Sequence, residues 1–214
     1  MNPISIETAA SYLAAGLSCL PAARKRKHPS IGSWKTWTGR LPTQIEVEAW
    51  FANRQDGICV VAGAVSGNLE CIDFDNKGEM YEAWKAKVDA SLMDRLVVER
   101  SPSGGYHVLY RSGKPVDGNL KLARGIRNGK LLTLIETRGE GGLFLCTPTE
   151  GYVLVQGRFE EIPLISAKAR EGLLNAARSL DEEVRPVVPS APSGANVGQP
   201  GGFLARPGDD FCER

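Results

Sequence analysis

Cys71-Ile72-Asp73-Phe74-Asp75 closes the apolar stretch Leu69–Phe74, and the reading of this stretch decides the fold. It follows a Val65-Ser66-Gly67-Asn68 turn and predicts a strand. Side chains alternate along a strand, so Asp73 and Asp75 share one face while Ile72 and Phe74 take the other. Two neighbouring carboxylates repel unless a cation sits between them. Hard oxygen donors at this spacing suit Mg²⁺ or Mn²⁺. Taken alone, a D-x-D pattern is short and common, and it describes equally well a strand end running into an Asp75-Asn76-Lys77-Gly78 turn.

Working outward, Ile58–Ala62 is another apolar run, and its short Gly-containing link to Leu69–Phe74 predicts a hairpin. Leu96–Arg100 and Tyr106–Tyr110 flank Ser101-Pro102-Ser103-Gly104-Gly105 and predict a second strand pair. Leu17–Leu20, Leu131–Thr137, Leu143–Cys146 and Tyr152–Val155 are the other strand candidates. Helical spacing marks Ile6–Ala15, ending near Gly16. A further helix opens at Thr43, where Glu46 completes a capping box, and carries Ile45, Val47, Ala49, Trp50 and Phe51. Gly78–Leu96 reads as one amphipathic helix with Met80, Tyr81, Trp84, Val88 and Leu92 embedded. Ser166–Ser179 is a helix with Leu173, Leu174 and Ala177 on its apolar face. Hairpins with interspersed helices, in place of a regular βαβ succession, predict an α+β fold.

The chain has 214 residues, enough for one substantial core and a tail. From about Arg185 the composition turns to Pro, Gly, Ser and Ala, with Pro186, Pro189, Pro192, Pro200 and Pro207. This predicts a catalytic-size domain over 1–180 and a linker over 181–214 leading toward a possible downstream domain. No apolar run is long enough to cross a bilayer and there is no signal-peptide core, so a cytoplasmic protein without a membrane partner is expected. Cys19, Cys59, Cys71, Cys146 and Cys212 form no C-x-x-C pair, and His28 and His107 are the only histidines. No structural zinc is expected, and the cysteines read mostly as small apolar residues in strands.

Net charge is only +1, but its distribution is uneven. Arg24-Lys25-Arg26-Lys27 is a basic run. Arg111, Lys114, Lys121, Arg124, Arg127 and Lys130 face a single acid, Asp117, giving that segment a net +5. Basic runs are usually solvated loops, but beside a carboxylate cluster they suit a phosphate-facing groove.

Two further motifs stand at predicted strand ends. His107 follows Ser103-Gly104-Gly105-Tyr106, where glycines allow backbone to approach a phosphate closely. By alternation His107 shares a face with Leu109 and opposes Tyr106, Val108 and Tyr110. Glu136 ends Leu131–Ile135 and leads into Thr137-Arg138-Gly139-Glu140-Gly141-Gly142, a third carboxylate beside an Arg and a Gly-rich loop.

The ordered series D-x-D, S-G-G-x-H and E-x-R-G-x-G-G resembles the catalytic motifs of the archaeo-eukaryotic primase superfamily. The likeness is to its bifunctional primase-polymerase branch, found in replication proteins of phages, plasmids and integrated elements. Gly16–Pro21, Lys27-His28-Pro29 with Trp34, Gly63 with Ser66-Gly67, and Thr147-Pro148-Thr149 before Gly151-Tyr152 add to it. The resemblance implies an RRM-like palm sheet with a helical and strand N-terminal unit. It implies Asp73, Asp75 and Glu136 as ligands of two Mg²⁺ or Mn²⁺ ions, with His107 on the incoming NTP or dNTP. Lys27, Ser103, Gly104, Gly105, Arg138 and Gly139 become nucleotide neighbours. The basic segment, through Arg111, Lys121, Arg124 and Arg127, becomes the track for a single-stranded DNA template. The third acid is often Asp in that family and here is Glu136. Helicase domains commonly follow in the family, which implies a fused or partner helicase. The alternatives are a metal-dependent nuclease, a non-catalytic nucleotide or single-strand binding module, and a purely structural or interaction domain. The first leaves the S-G-G-x-H turn unexplained, and the second has no use for three clustered carboxylates.

Overall fold

A computed structural model describes residues 3–26, 28–53 and 55–183, all within the compact unit Met1–Glu183. Lys27, Cys212 and the proline-rich tail beyond Glu183 lie outside the described residues. The elements run in the order α1 (Ile6–Ala14), β1 (Ser18–Ala23), β2 (His28–Pro29), α2 (Gln44–Phe51), β3 (Gly57–Val61) and β4 (Leu69–Phe74). Then come α3 (Tyr81–Lys85), α4 (Ala90–Met93), β5 (Val97–Arg100), β6 (Tyr106–Ser112), β7 (Lys121–Arg127) and β8 (Lys130–Arg138). The chain continues through β9 (Leu143–Cys146), β10 (Val153–Gln156), β11 (Leu164–Ile165) and α5 (Ala167–Arg178).

The fold is α+β, built on two largely antiparallel sheets. One is ordered β2-β1-β3-β9; the other is ordered β10-β5-β6-β4-β8-β7, with β11 joining β6 in parallel. Local chemistry sets the helix ends. Thr43 Oγ1 accepts the Glu46 N–H while a Glu46 carboxylate oxygen accepts the Thr43 N–H at 2.8 Å, the expected capping box. Gly16, just past α1, has φ +73, the left-handed position that favours glycine. Ser166 caps α5, which buries Leu173, Leu174, Ala176 and Ala177.

Three expectations need correction. β3 and β4 are not a hairpin. β3 lies between β1 and β9, and β4 between β6 and β8, so both edges of each strand are occupied. Gly63 at φ +92 and a 3-10 turn at Ala64–Ser66 carry the chain from one sheet to the other, leaving only a Gly63–Leu69 bridge. The long helix over Gly78–Leu96 is two short ones. Asn76, Lys77 and Gly78 all take positive φ and delay its start. The first segment ends at Lys85, and Asp89 then caps the second, accepting the Leu92 N–H at 3.1 Å. Finally, the basic segment contains β7, which pairs with β8 through a two-residue Asn128-Gly129 turn with both residues left-handed.

The two faces of the larger sheet carry different loads. Ile72, Phe74, Val98, Val108 and Tyr110 join Trp84, Leu173 and Leu174 in a core beneath α3, α4 and α5. Leu69, Cys71, Val97 and Leu109, on the opposite face, pack with α1, α2 and with Cys19, Ile58, Val60, Phe144 and Cys146 of the smaller sheet. A third cluster, including Leu20, Val61, Leu145 and Tyr152, covers the smaller sheet's other side. Cys19, Cys59, Cys71 and Cys146 are buried thiols in strands, as expected.

Candidate active site

Strand register builds the site. Across the larger sheet, Val97, Leu109, Cys71 and Arg138 lie in one row. Two residues further along, on the same face, the aligned row is Glu99, His107, Asp73, Glu136 and Lys121. The face thus changes from apolar to ionisable where it leaves the core shared by the sheets. Because a strand's side-chain period is two, a one-residue slip would turn this row into the opposite core.

Asp73 sits at the centre, 9% exposed. Its Oδ1 lies 3.6 Å from His107 Nε2, and its Oδ2 accepts from Arg138 Nε and Nη2 at 3.3 and 3.1 Å. Arg138 Nη2 also meets Glu136 Oε1 at 2.5 Å. Asp75 lies just beyond β4, where its backbone N–H donates to the Leu134 carbonyl and its carbonyl accepts from Gly78. Asp73, Asp75 and Glu136 each bring one carboxylate oxygen within 4.8 Å of the others. The donor chemistry fits a hard divalent ion, and the Arg138 guanidinium already bridges two of the three carboxylates as a cation of the protein's own.

Electrostatics follow from this crowding. Burial, with the Asp73 charge, raises the Glu136 pKa against the opposing pull of Arg138 and Lys121. Burial disfavours a charged His107 ring, but the Glu99 hydrogen bond, the Glu99 charge and Asp73 outweigh it, and the His107 pKa is raised. Burial likewise opposes the charged Arg138, and Asp73 and Glu136 overcome it.

A cleft of about 360 Å³ opens over this row, lined among others by Asp73, Asp75, Ser101, Ser103, His107 and Arg138. The Ser101–Gly105 turn closes on itself through Ser101 N–H to the Gly105 carbonyl and Gly104 N–H to the Ser101 carbonyl. It lies against β4 so tightly that a Cβ on Gly105 would run into the Phe74 carbonyl. Glycine is needed there for close approach to the protein's own backbone. The same holds at Gly139, where a Cβ would meet the Asp117 carbonyl. In the 139–142 loop the Gly139 N–H donates to Asn119 Oδ1, Glu140 to the Asp117 carbonyl and Gly142 to the Gly139 carbonyl. The first two donors tie the loop to the β6–β7 connection and the third closes the loop on itself, while Gly141 and Gly142 line the cleft.

Of the expected template residues, the register brings only Lys121 beside the site. Arg111 is half-buried and donates to the Ala15 carbonyl. Arg124 pairs with Glu183, and Arg127 with Glu79 and Glu182. Residues that the motif reading missed are Glu99, Asn119 and Phe144. For Glu99 a signal existed: an acid directly after the apolar run Leu96–Val98 and one strand period from Val97.

Fold and site together define a sheet-borne carboxylate centre beside a histidine, suited to a divalent ion and a phosphate-bearing substrate. The chain belongs to the bifunctional DNA primase/polymerase N-terminal domain family, whose family model matches residues 9–164. No curated protein matches it significantly. Membership gives it nucleotidyl transfer of the primase/polymerase type, with DNA and nucleotides as substrates and a dependence on metal. Among the described residues, no helix is long and apolar enough to cross a membrane.

Proposed function

We propose that this domain carries out template-directed nucleotidyl transfer as a DNA primase, a DNA polymerase or both, in the replication of a phage, plasmid or mobile element. The observation carrying the reading is the convergence of Asp73, Asp75 and Glu136 next to His107 at one end of one sheet face. Asp73, Asp75 and Glu136 would hold Mg²⁺ or Mn²⁺, as a pair. When bound, the metals neutralise a triphosphate and make a 3′-hydroxyl a better nucleophile. His107 Nε2 and Arg138 contact the triphosphate, and the Ser101–Gly105 turn limits where it lies. The half-buried cleft excludes part of the bulk water, which strengthens each of these contacts.

For the single-stranded template, the basic side chains that reach solvent near the site are the better candidates. Lys77 and Arg100 line a recess of about 510 Å³ that shares Ser101 and Ser103 with the cleft. Neither is in an ion pair among the described residues, and Lys121 is exposed beside Glu136. We assign these three, in place of Arg111, Arg124 and Arg127, to nucleic-acid phosphates. The linker toward a fused or partner helicase then begins beyond Glu183, because Asp181, Glu182 and Glu183 are bound to β7.

The test is extension of a labelled primer on a template, with dNTPs or NTPs and Mg²⁺ or Mn²⁺. Asp73→Asn with Asp75→Asn is expected to lower incorporation at least 10³-fold, about 4 kcal/mol of transition-state stabilisation, with the circular dichroism unchanged. Normal extension by the double variant sinks the metal assignment. Shortening of the primer without extension would favour a nuclease.

A further inference from the structure

We propose that Glu99 is a positioning residue for this site: from within the core it holds the His107 ring with Nδ1 tied back and Nε2 turned toward Asp73. The proposal rests on the polymerase reading for what His107 does, but its geometry is independent of that reading. Glu99 is fully buried, at 0% exposure, on a strand whose neighbours Val97 and Val98 belong to the two apolar cores. A carboxylate in such a place is expensive unless its oxygens are satisfied, and both are. Oε1 accepts from His107 Nδ1 at 2.7 Å, and Oε2 accepts the Thr147 N–H at 2.8 Å.

These bonds determine the ring. With Oε2 taken by the Thr147 N–H, Oε1 is the acceptor that faces Nδ1 and favours a proton there, and Nε2 is left as the atom that faces the cleft. It lies 3.6 Å from Asp73 Oδ1. Phe144 and Tyr152 flank the imidazole, with ring centroids 5.4 and 5.9 Å away, and restrict its swing. Thr147 follows β9 of the smaller sheet, so one carboxylate joins the two sheets and orients the one histidine of the row. An amide at position 99 would keep one acceptor but would lose the charge and the two-oxygen match.

The experiment combines steady-state extension kinetics with nitrogen-15 NMR of the imidazole, simplified by the presence of only two histidines, His28 and His107. Glu99→Gln is expected to raise the KM for the nucleotide roughly 10- to 100-fold. Mn²⁺ affinity and kcat should change by no more than about 3-fold, as expected when ligand orientation is lost and the carboxylate trio is kept. In a His107→Ala background the same substitution should change KM by less than about 3-fold, because the residue acts through the ring. In the wild type the His107 Nδ1 should carry a proton, and in Glu99→Gln the ring should spread over both tautomers. A KM effect of equal size with and without His107 overturns the proposal. So does a wild-type ring with bare Nδ1, a result needing neither a variant nor activity. If the wild type incorporates nothing, the polymerase reading fails while the ring spectrum still decides on Glu99.

Discussion

Asp73 has an ionisable cross-strand neighbour on each side, His107 and Glu136, and Arg138 reaches it from the adjacent row. Without an ion, that guanidinium is what keeps two half-buried carboxylates from repelling each other. Arg138→Ala should therefore destabilise the metal-free protein by roughly 1–3 kcal/mol, the range for leaving a partly buried charge without its partner. Excess Mg²⁺ should restore most of that loss, because the ion takes over the same oxygens. Thermal melts in EDTA and in Mg²⁺ check this, and an equal loss in both would show that ion and guanidinium do not compete. Much of this was legible from the chain. Alternation put Asp73 and Asp75 on one face and His107 with Leu109; Glu136 was expected at a strand end but lies inside β8, which runs on to Arg138. The Glu99–His107 pair lies across the predicted β5–β6 hairpin and was within reach of the sequence, whereas the burial of Glu99 and its bond to the Thr147 N–H depend on the smaller sheet and emerge only on folding.

Single elements show where local signals suffice and where they do not. The α2 capping box is entirely local, and its prediction from Thr43 and Glu46 held. Thr43→Ala should cost about 1 kcal/mol in urea unfolding, with little effect on extension. The supposed β3–β4 hairpin failed for a non-local reason. A short loop between apolar runs implies pairing only if an edge is free, and the competing strands β1, β6, β8 and β9 come from elsewhere in the sequence. β7 was obscured by its arginines, which are tied up by Glu79, Glu182 and Glu183. α5 has a buried polar anchor that its apolar stripe did not reveal. Arg170 binds both oxygens of fully buried Glu70 at 2.6 and 2.8 Å, and Tyr110 donates to the same carboxylate at 2.7 Å. Arg170→Ala strands that carboxylate and should cost about 3–5 kcal/mol. Glu70→Gln with Arg170→Met should recover most of it, measured by urea denaturation, because the stranded charge is gone and an amide oxygen still accepts from Tyr110. A double variant no more stable than Arg170→Ala would mean the cost lies in lost packing of α5.

At the scale of the molecule, the site lies where the core between two sheets ends, so the scaffold around the reactive row is rigid on the side facing the core. Charge is arranged differently. With a net of +1, the chain has no global field to gather a polyanion, and many of its arginines are neutralised by internal pairs. Under the proposed function, binding of a single-stranded DNA template then depends on a few cations near the cleft. Each phosphate neutralised on a single strand contributes about 0.7 to the slope of log affinity against log salt. Removing Lys77 and Arg100 by charge reversal should therefore flatten that slope by about 1.4. The same reversal at Arg124 and Arg127 should leave the slope nearly unchanged and lower thermal stability instead, because it breaks pairs that hold β7 to its surroundings. Fluorescence anisotropy of a labelled single strand, titrated at several salt concentrations, separates the two. A slope that responds to Arg124 and Arg127 but not to Lys77 and Arg100 would return the template path to the β7–β8 hairpin.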